Sequence, residues 1–365
     1  MKRRKFVTQA TVSAASVSAL AACTQTSGPA IQAGSLPTIN WRMATSWPPS
    51  LDTIYGGAET VCRRVSEMTG GRFTITPYAA GELVPALQVL DAVQSGSVEC
   101  GHTASYYYIG KNSALGFATA MPFGLNAQQQ NAWLYEGGGL EAMQKIYADF
   151  NVINFPAGNT GTQMGGWFKQ EVKTLQDLSG LKMRIPGLGG EIMSELGVNV
   201  QVLPGSEVFL ALERGAIDAA EWVGPYDDRK LGLQDAAKYY YYPGWWEPGA
   251  TLEVMVNRSM WDRLPQEYQE VFKTAAVEAN MRMLAQYDSR NGQALKELVN
   301  GGTVLTPYSQ EIMAKAREIS FDLYEQNASA NSAFKEVYDN WKAFRESVYG
   351  WNNINESSFA RFSYQ

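Results

Sequence analysis

The sequence predicts an α/β protein of two lobes that face each other across a cleft. Three observations carry this expectation: a unit of apolar helix, glycine and short buried strand that occurs twice, two extended segments that bracket the second copy, and a helical pattern spanning 265–301. At 365 residues, with 45% hydrophobic and 12% aromatic content, the chain is long enough and apolar enough for two cores.

The first 23 residues stand outside that fold. Lys2, Arg3, Arg4 and Lys5 precede an apolar, small-residue run, Phe6 to Ala22, that is too short to span a bilayer, so 1–23 is expected to be an export signal and the protein to be periplasmic. Arg3-Arg4 followed by Phe6 is compatible with a twin-arginine signal as well as a general one, and Leu20-Ala21-Ala22-Cys23 has the form of a lipobox that would leave a lipid anchor at Cys23. Residues 24–37 form a flexible tether. Loss of the signal's four cations takes the formal charge from −6 to −10, and with no basic run left the chain is not a nucleic-acid binder.

Within the fold, "INWRMATS" is strand-like, and the helix after Pro48-Pro49 places Ile54, Ala58, Val61, Val65 and Met68 on one face before Gly70-Gly71 stop it. "RFTITPY" alternates as a strand. A second helix carries Leu83, Leu87, Leu90 and Val93, Gly96 ends it, and "SVECG" follows as a buried strand. The unit recurs 119 residues later in "VFLALERGAIDAAEW", with Gly215 as the stop and Ile217-Asp218-Ala219 as the strand. "NVINFPAGNTGTQMGGWF", between the copies, leads out of the first lobe and "TLEVMVNRSMW", after the second copy, leads back, which makes a hinge with the cleft beside it. These boundaries give a first lobe of 38–158 plus 252–345 with long C-terminal helices, a second lobe of 159–251, and a C-terminal flap or dimer contact at 346–365. The long helix either packs across both lobes or docks on a second subunit.

Cysteine and histidine usage excludes several chemistries. Cys62 and Cys100 either form a disulfide or are two unpaired core residues. His102 is the only histidine, which excludes multi-histidine zinc sites, and its apolar setting points to a satisfied buried ring. "PGLGGEI" does not complete a dinucleotide fingerprint, because the third glycine position falls on Ile192; its glycines suit a tight turn and close backbone approach.

Arg184 ends the apolar run "LKMRIP". Strand ends of an open α/β sheet face the ligand crevice, so its guanidinium either holds a carboxylate through paired hydrogen bonds or pairs with a neighbouring acid; Lys182 shares its strand face. Glu221 and Trp222 follow a buried strand, and Glu247 stands between Trp246 and Pro248. Buried carboxylates need a cation nearby. Two acids, an amide such as Gln163 and backbone carbonyls form a hard oxygen cage suited to Na⁺, Ca²⁺ or Mg²⁺; the alternative is that the acids cap turns or pair with Arg184.

The segments "GHTASYYYIGK", "NTGTQMGGW", "LKMRIPGLGG", "AEWVGPYDD" and "PGWWEPGATLEVMVN" together resemble the periplasmic solute-binding proteins of tripartite ATP-independent (TRAP) transporters, in particular the branch that binds 2-oxo acids, with relatives for lactate. The likeness runs from Ile39 to the C-terminal helices, and "EWVGP" with "EPG" 26 residues on from its glutamate is its most specific part. The resemblance implies the two-lobed periplasmic binding protein fold with hinge strands and no catalysis. It implies that Arg184 pairs with the substrate carboxylate, that Gln163, Glu221, Glu247 and the main-chain carbonyl of Trp222 hold a bridging Na⁺ or Ca²⁺, that Asn159 makes a polar contact, and that Tyr107 or Tyr108 lines the first-lobe wall. The implied partners are a small carboxylate and a membrane permease; the length of the C-terminal helix and the run "YYYYPGWW" add the expectation of a homodimer through that helix. Where relatives have one aromatic before Glu-Pro-Gly, this chain has Trp245-Trp246, which leaves pocket size and side-chain preference open. Two other readings remain: a binder of an aromatic carboxylate or a polyol, and an exported enzyme using the cation to polarise a keto acid, for which no general base stands out.

Overall fold

Alternation and helical periodicity translate into two sheets, each flanked by helices. A computed structural model describes residues 36–364; the expected export signal, its Cys23, and the tether up to residue 35 lie outside the described residues. The strands are β1 (Ile39–Thr45), β2 (Phe73–Tyr78), β3 (Cys100–Thr103), β4 (Val152–Asn159), β5 (Trp167–Phe168), β6 (Lys182–Arg184), β7 (Asn199–Gln201), β8 (Ala219–Ala220), β9 (Tyr239–Tyr242), β10 (Thr251–Asn257) and β11 (Val304–Pro307). The first sheet has the order β2-β1-β3-β10-β4 and the second β11-β9-β5-β8-β6-β7. Each combines parallel pairs, such as β1 with β3 and β6 with β8, with antiparallel ones at β10 and β5.

The first helix shows how the pattern acts. Ile54–Met68 buries Ile54, Ala58, Val61 and Val65 on one stripe, each worth about 1.5–3 kcal/mol for the larger side chains. It ends where the Thr69 hydroxyl and N–H both donate to the Val65 carbonyl and Gly70 takes φ 60°. The long helix is Gln266–Asn300. It packs on the helix Ile54–Met68, on β4 and on the helix Pro225–Leu231, so it braces both sheets. Its Met283 and Tyr287 enter a buried cluster that also holds Trp47 and Tyr106 from the first side and Trp222 and Tyr240 from the second.

Several boundaries differ from the expectations. The helix assigned to Leu83–Val93 begins only at Ala86 as a 3₁₀ turn and becomes α-helical over Val89–Ser95, because Pro85 cannot sit inside a helix; Leu83 is left exposed. The two short strands run Cys100–Thr103 and Ala219–Ala220, three and two residues beyond the predicted starts at Ser97 and Ile217, as the glycine turns at Gly96 and Gly215 use more chain than anticipated. β11 belongs to the second sheet, paired with β9, although it lies in the segment 252–345 given to the first lobe. The boundary expected at 346 falls inside the helix Ser332–Ile354, anchored by buried Trp341, and Glu356–Ser363 follows as a helix without buried residues. Cys62 and Cys100 are free, buried thiols and no disulfide joins them.

One buried acid lies at the crossover strands. Glu253 of β10, beside a register shift, accepts hydrogen bonds from the Tyr147 hydroxyl (2.6 Å) and from the Asn154 amide. Burial pushes its carboxyl up from 4.5 to about 7, with the two hydrogen bonds opposing. The unfolded chain therefore ionises first, and the stability this neutral acid contributes is present below pH 4.5 and lost as pH rises through about 7. Glu253→Gln keeps both partners without the charge. Urea unfolding at pH 4.5 and pH 8 is expected to show wild type losing about 3 kcal/mol more than the variant across that interval, from a shift of this size at 1.36 kcal/mol per pKa unit; equal slopes would refute it.

Candidate functional site

Four segments converge at the end of the second sheet. β6 carries Arg184 at its last position, and its parallel neighbour β8 stops at the paired residue Ala220, so Glu221 to Gly224 leave the sheet beside the guanidinium. The loop after β4 brings Gln163 and the loop after β9 brings Glu247. Their backbones are tied: Gln163 N donates to Glu247 O (3.1 Å), Gly244 N to Gln163 O (2.9 Å), Glu221 N to Arg184 O (3.1 Å) and Met164 N to Val223 O (3.1 Å).

The side chains are almost fully buried, at 1% exposure for Arg184, 0% for Glu221, 3% for Glu247 and 4% for Gln163. Arg184 Nε donates to Leu203 O (3.1 Å), one terminal nitrogen donates to Glu221 O (3.0 Å) and forms an ion pair with Glu221 Oε1, and the guanidinium lies 5.0 Å from the Trp222 ring. Gln163 Nε2 donates to Glu247 Oε2 (2.6 Å) and to Thr160 Oγ1 (3.1 Å). What remains is informative: Arg184 Nη2, Glu221 Oε2 and Gln163 Oε1 are buried without a partner. The Trp222 carbonyl likewise accepts no hydrogen bond among the described residues, whereas Glu221 O and Val223 O on either side are engaged. Unpaired buried polar atoms each cost on the order of 1–3 kcal/mol, so a cluster of them marks a place built for something else to bind.

Electrostatics agree. Burial pushes the Glu221 carboxyl up to about 8 against the pull of Arg184, and burial together with the charge of Glu221 pushes Glu247 well above the usual range. Ionised, the two carboxylates would carry one negative charge more than the single guanidinium balances in this dry setting, which is why both hold their protons more tightly than usual until a cation neutralises them. The oxygen set fits a hard cation: two carboxylates, an amide oxygen and a backbone carbonyl, with no thiol or imidazole, suit Na⁺ or Ca²⁺.

The other expected residues divide. The 3₁₀ turn Ser105–Tyr108 turns successive side chains by about 120°, so neighbouring tyrosines diverge. Tyr107 is half-buried beside the charges of Arg184, Glu221 and Glu247, its hydroxyl pushed up to about 12 by loss of solvent; Tyr108 points into the first-lobe core, where its hydroxyl meets Thr103 Oγ1 (3.0 Å) and accepts from Leu90 N (3.3 Å). Tyr108 is therefore not at the site. Tyr106, which the sequence did not single out, is: the charges of Glu247, Glu221 and Arg184 all bear on it. Asn159 does not offer a free group either, because its amide donates to Gly249 O and Thr251 Oγ1 (3.2 Å each) and its oxygen accepts from Gly161 N (2.8 Å), tying the two crossover strands together. Lys182 is exposed and points to Gly215 O. His102 is a satisfied core ring, accepting from Trp47 Nε1 (2.8 Å) and meeting Ala157 O (3.2 Å).

The tryptophan pair and the glycines explain each other. Trp245 stacks on Phe123 (centroids 5.2 Å apart, 16°), away from the oxygen set, while Trp246 fills the space above Gly189, where an added Cβ would come within 2.8 Å of the Trp246 Cβ. Gly189 thus lets the helix Gly187–Glu195 approach the Glu247 loop closely. In Glu-Pro-Gly the same holds at Gly249, where a Cβ would meet Ala127 N at 2.4 Å.

The chain matches bacterial extracellular solute-binding protein family 7 over residues 43–331. It is 68% identical over 363 residues, 100% of this chain and 99% of the relative, to a protein from Nostoc named monocarboxylate 2-oxoacid-binding periplasmic protein. A TRAP transporter solute-binding protein from Bordetella bronchiseptica, a mixed-occupancy dimer with copurified calcium and picolinate, superposes with TM-score 0.89 at 48% identity, covering 90% of this chain and 98% of that one. One from Pseudoalteromonas atlantica with bound sodium and pyruvate superposes with TM-score 0.85 at 37% identity, covering 89% and 99%.

Proposed function

Because the chain belongs to bacterial extracellular solute-binding protein family 7, we propose that it is the extracytoplasmic substrate-binding subunit of a TRAP transporter and captures a small 2-oxo or 2-hydroxy monocarboxylate of pyruvate or 2-oxobutyrate type. It is an extracytoplasmic binding protein and not an enzyme. The observation that carries the ligand class is the trio of buried unpaired atoms, a cationic donor at Arg184 beside acceptors at Glu221 and Gln163. A carboxylate would take its place on Arg184, and a Na⁺ or Ca²⁺ held by Gln163, Glu221, Glu247 and the Trp222 carbonyl would neutralise what remains. Charge balance favours Ca²⁺: two protein carboxylates and one substrate carboxylate are matched by Arg184 and a divalent ion.

Pyruvate and picolinate, the ligands of the two relatives, share a donor atom next to the carboxylate, an oxygen in one and a ring nitrogen in the other. Both can therefore chelate one cation through a five-membered ring, and that feature defines the ligand better than size does. The picolinate-bound relative favours an aromatic carboxylate as the second reading. Tyr106 and Tyr107 would form the first-lobe wall, and Asn159 would act at the hinge where 38–158 meets 159–251. Closing of the lobes on ligand is assisted at the rim by Asp52, which accepts from the Tyr226 hydroxyl (3.1 Å) and pairs with Lys230 and Arg290. The closed form is what the membrane permease recognises. Export follows a twin-arginine or general signal, with Cys23 as the candidate lipid site.

Titration calorimetry of the mature protein with pyruvate, picolinate, benzoate and glycerol, with added Na⁺, with added Ca²⁺ and after chelation, tests the reading. Cation-dependent binding of the first two is expected. Benzoate binding as tightly as pyruvate would sink the chelate argument. A homodimer would use the C-terminal helices, where Trp351, Ile354, Phe359 and Phe362 are exposed; light scattering giving a monomer mass at micromolar concentration refutes it.

A further inference from the structure

We propose that Asp228 is the positioning residue of the cation site, because its carboxylate sets the direction of the Trp222 carbonyl; this rests on the proposed role of that carbonyl as a cation ligand. Asp228 is 1% exposed, touches none of the unpaired site atoms, and is not among the residues the sequence singles out. Its Oδ1 accepts from Val223 N (3.0 Å) and Gly224 N (2.9 Å), and its Oδ2 accepts from Trp167 Nε1 (2.9 Å) and the Tyr240 hydroxyl (2.7 Å).

The first of these bonds matters most. The Val223 N–H and the Trp222 C=O belong to one planar trans peptide group, so they point in opposite directions. Holding the N–H on Asp228 therefore aims the carbonyl oxygen the other way, and a full negative charge at the N–H end draws electron density toward that oxygen, which strengthens it as a ligand. The other two bonds make Asp228 itself immobile, since Trp167 and Tyr240 stack 4.0 Å apart at 15° on β5 and β9. Val223 O in turn accepts Met164 N, which ties the same peptide run to the segment carrying Gln163. One buried carboxylate thus registers two of the segments that supply the oxygen cage, in the way outer partners orient the ligands of a metal.

Asp227 supplies a matched control. It is equally buried and adjacent, yet its carboxylate accepts from the Tyr287 hydroxyl (2.6 Å) of the long helix and makes no bond to the 221–224 loop. The experiment measures two quantities for wild type, Asp228→Asn, Asp227→Asn and Tyr240→Phe: the Ca²⁺ concentration at half-saturation with pyruvate present, and the thermal midpoint of the Ca²⁺-free protein. Asp228→Asn is expected to raise the Ca²⁺ requirement by about 10- to 100-fold, the usual effect of removing an outer partner, and Asp227→Asn to leave it unchanged whatever it does to the midpoint. Tyr240→Phe removes a single bond to Asp228 and shifts the requirement in the same direction by less, which keeps the test open should Asp228→Asn fail to fold. A Ca²⁺ requirement unchanged in Asp228→Asn and Tyr240→Phe, or raised equally by Asp227→Asn, overturns the role of Asp228 alone. Wild-type binding indifferent to cations overturns the cation site as well.

Discussion

Arg184→Ala is expected to abolish pyruvate binding, with a loss of about 3 kcal/mol or more and thus beyond roughly a hundredfold, because truncating one partner of a buried charge pair costs about 2–5 kcal/mol. The guanidinium is 1% exposed and donates to Leu203 O and Glu221 O, so its position does not depend on ligand. Its Nη2 is the unpaired donor that a substrate carboxylate would meet. Alanine removes that donor and also leaves Glu221 buried without its counter-charge, so the variant is checked for a native circular dichroism spectrum before calorimetry. Arg184→Lys keeps a positive charge but loses the planar fork, and is expected to bind with intermediate affinity rather than like wild type. A folded Arg184→Ala protein that binds pyruvate within threefold of wild type would mean that the carboxylate sits elsewhere.

Trp246→Ala is expected to lower the unfolding free energy of the ligand-free protein by about 3–5 kcal/mol, the range for deleting a buried large aromatic. The ring is 1% exposed, lies 4.9 Å from Trp245 and 6.0 Å from Tyr308 between centroids, and covers Gly189 of the helix that follows Arg184. Gly189 has no side chain to fill the space, and Trp245 is committed to its stack on Phe123. The same change frees the neighbouring Glu247, so cation affinity is expected to fall with stability. Urea unfolding that shows a loss below about 1 kcal/mol would mean that the site relaxes more readily than close packing allows.

Much of this was legible in the chain. Apolar residues at helical spacing placed Ile54–Met68 and Gln266–Asn300, and the motif pair "EWVGP" and "EPG" selected the two glutamates that the fold brings to Arg184. The errors arose where a local rule had to be combined with a neighbour. Leu83 fits a helical stripe, but Pro85 cannot be part of one. The three tyrosines 106–108 are indistinguishable in the text, and only the 3₁₀ turn sends Tyr108 to the core and Tyr107 toward the charges. Asn159 carries the right chemistry for a ligand contact, yet Gly249 O and Thr251 Oγ1, 90 and 92 residues away, consume its donors.

The sequence by itself determined which residues are apolar and at what spacing, where glycine and proline interrupt them, and that hard oxygen donors and one arginine, without histidine or thiol, were available for a site. These are properties of each residue and its close neighbours, set by sterics and hydrophobicity. Only the tertiary structure decided which of two adjacent tryptophans backs the Glu247 loop, which sheet receives β11, and which polar atoms remain unpaired once every other donor and acceptor has found a partner. Hydrogen-bond satisfaction is a property of the whole folded chain: a buried group is available for a ligand only if no segment, however distant in sequence, has already claimed it.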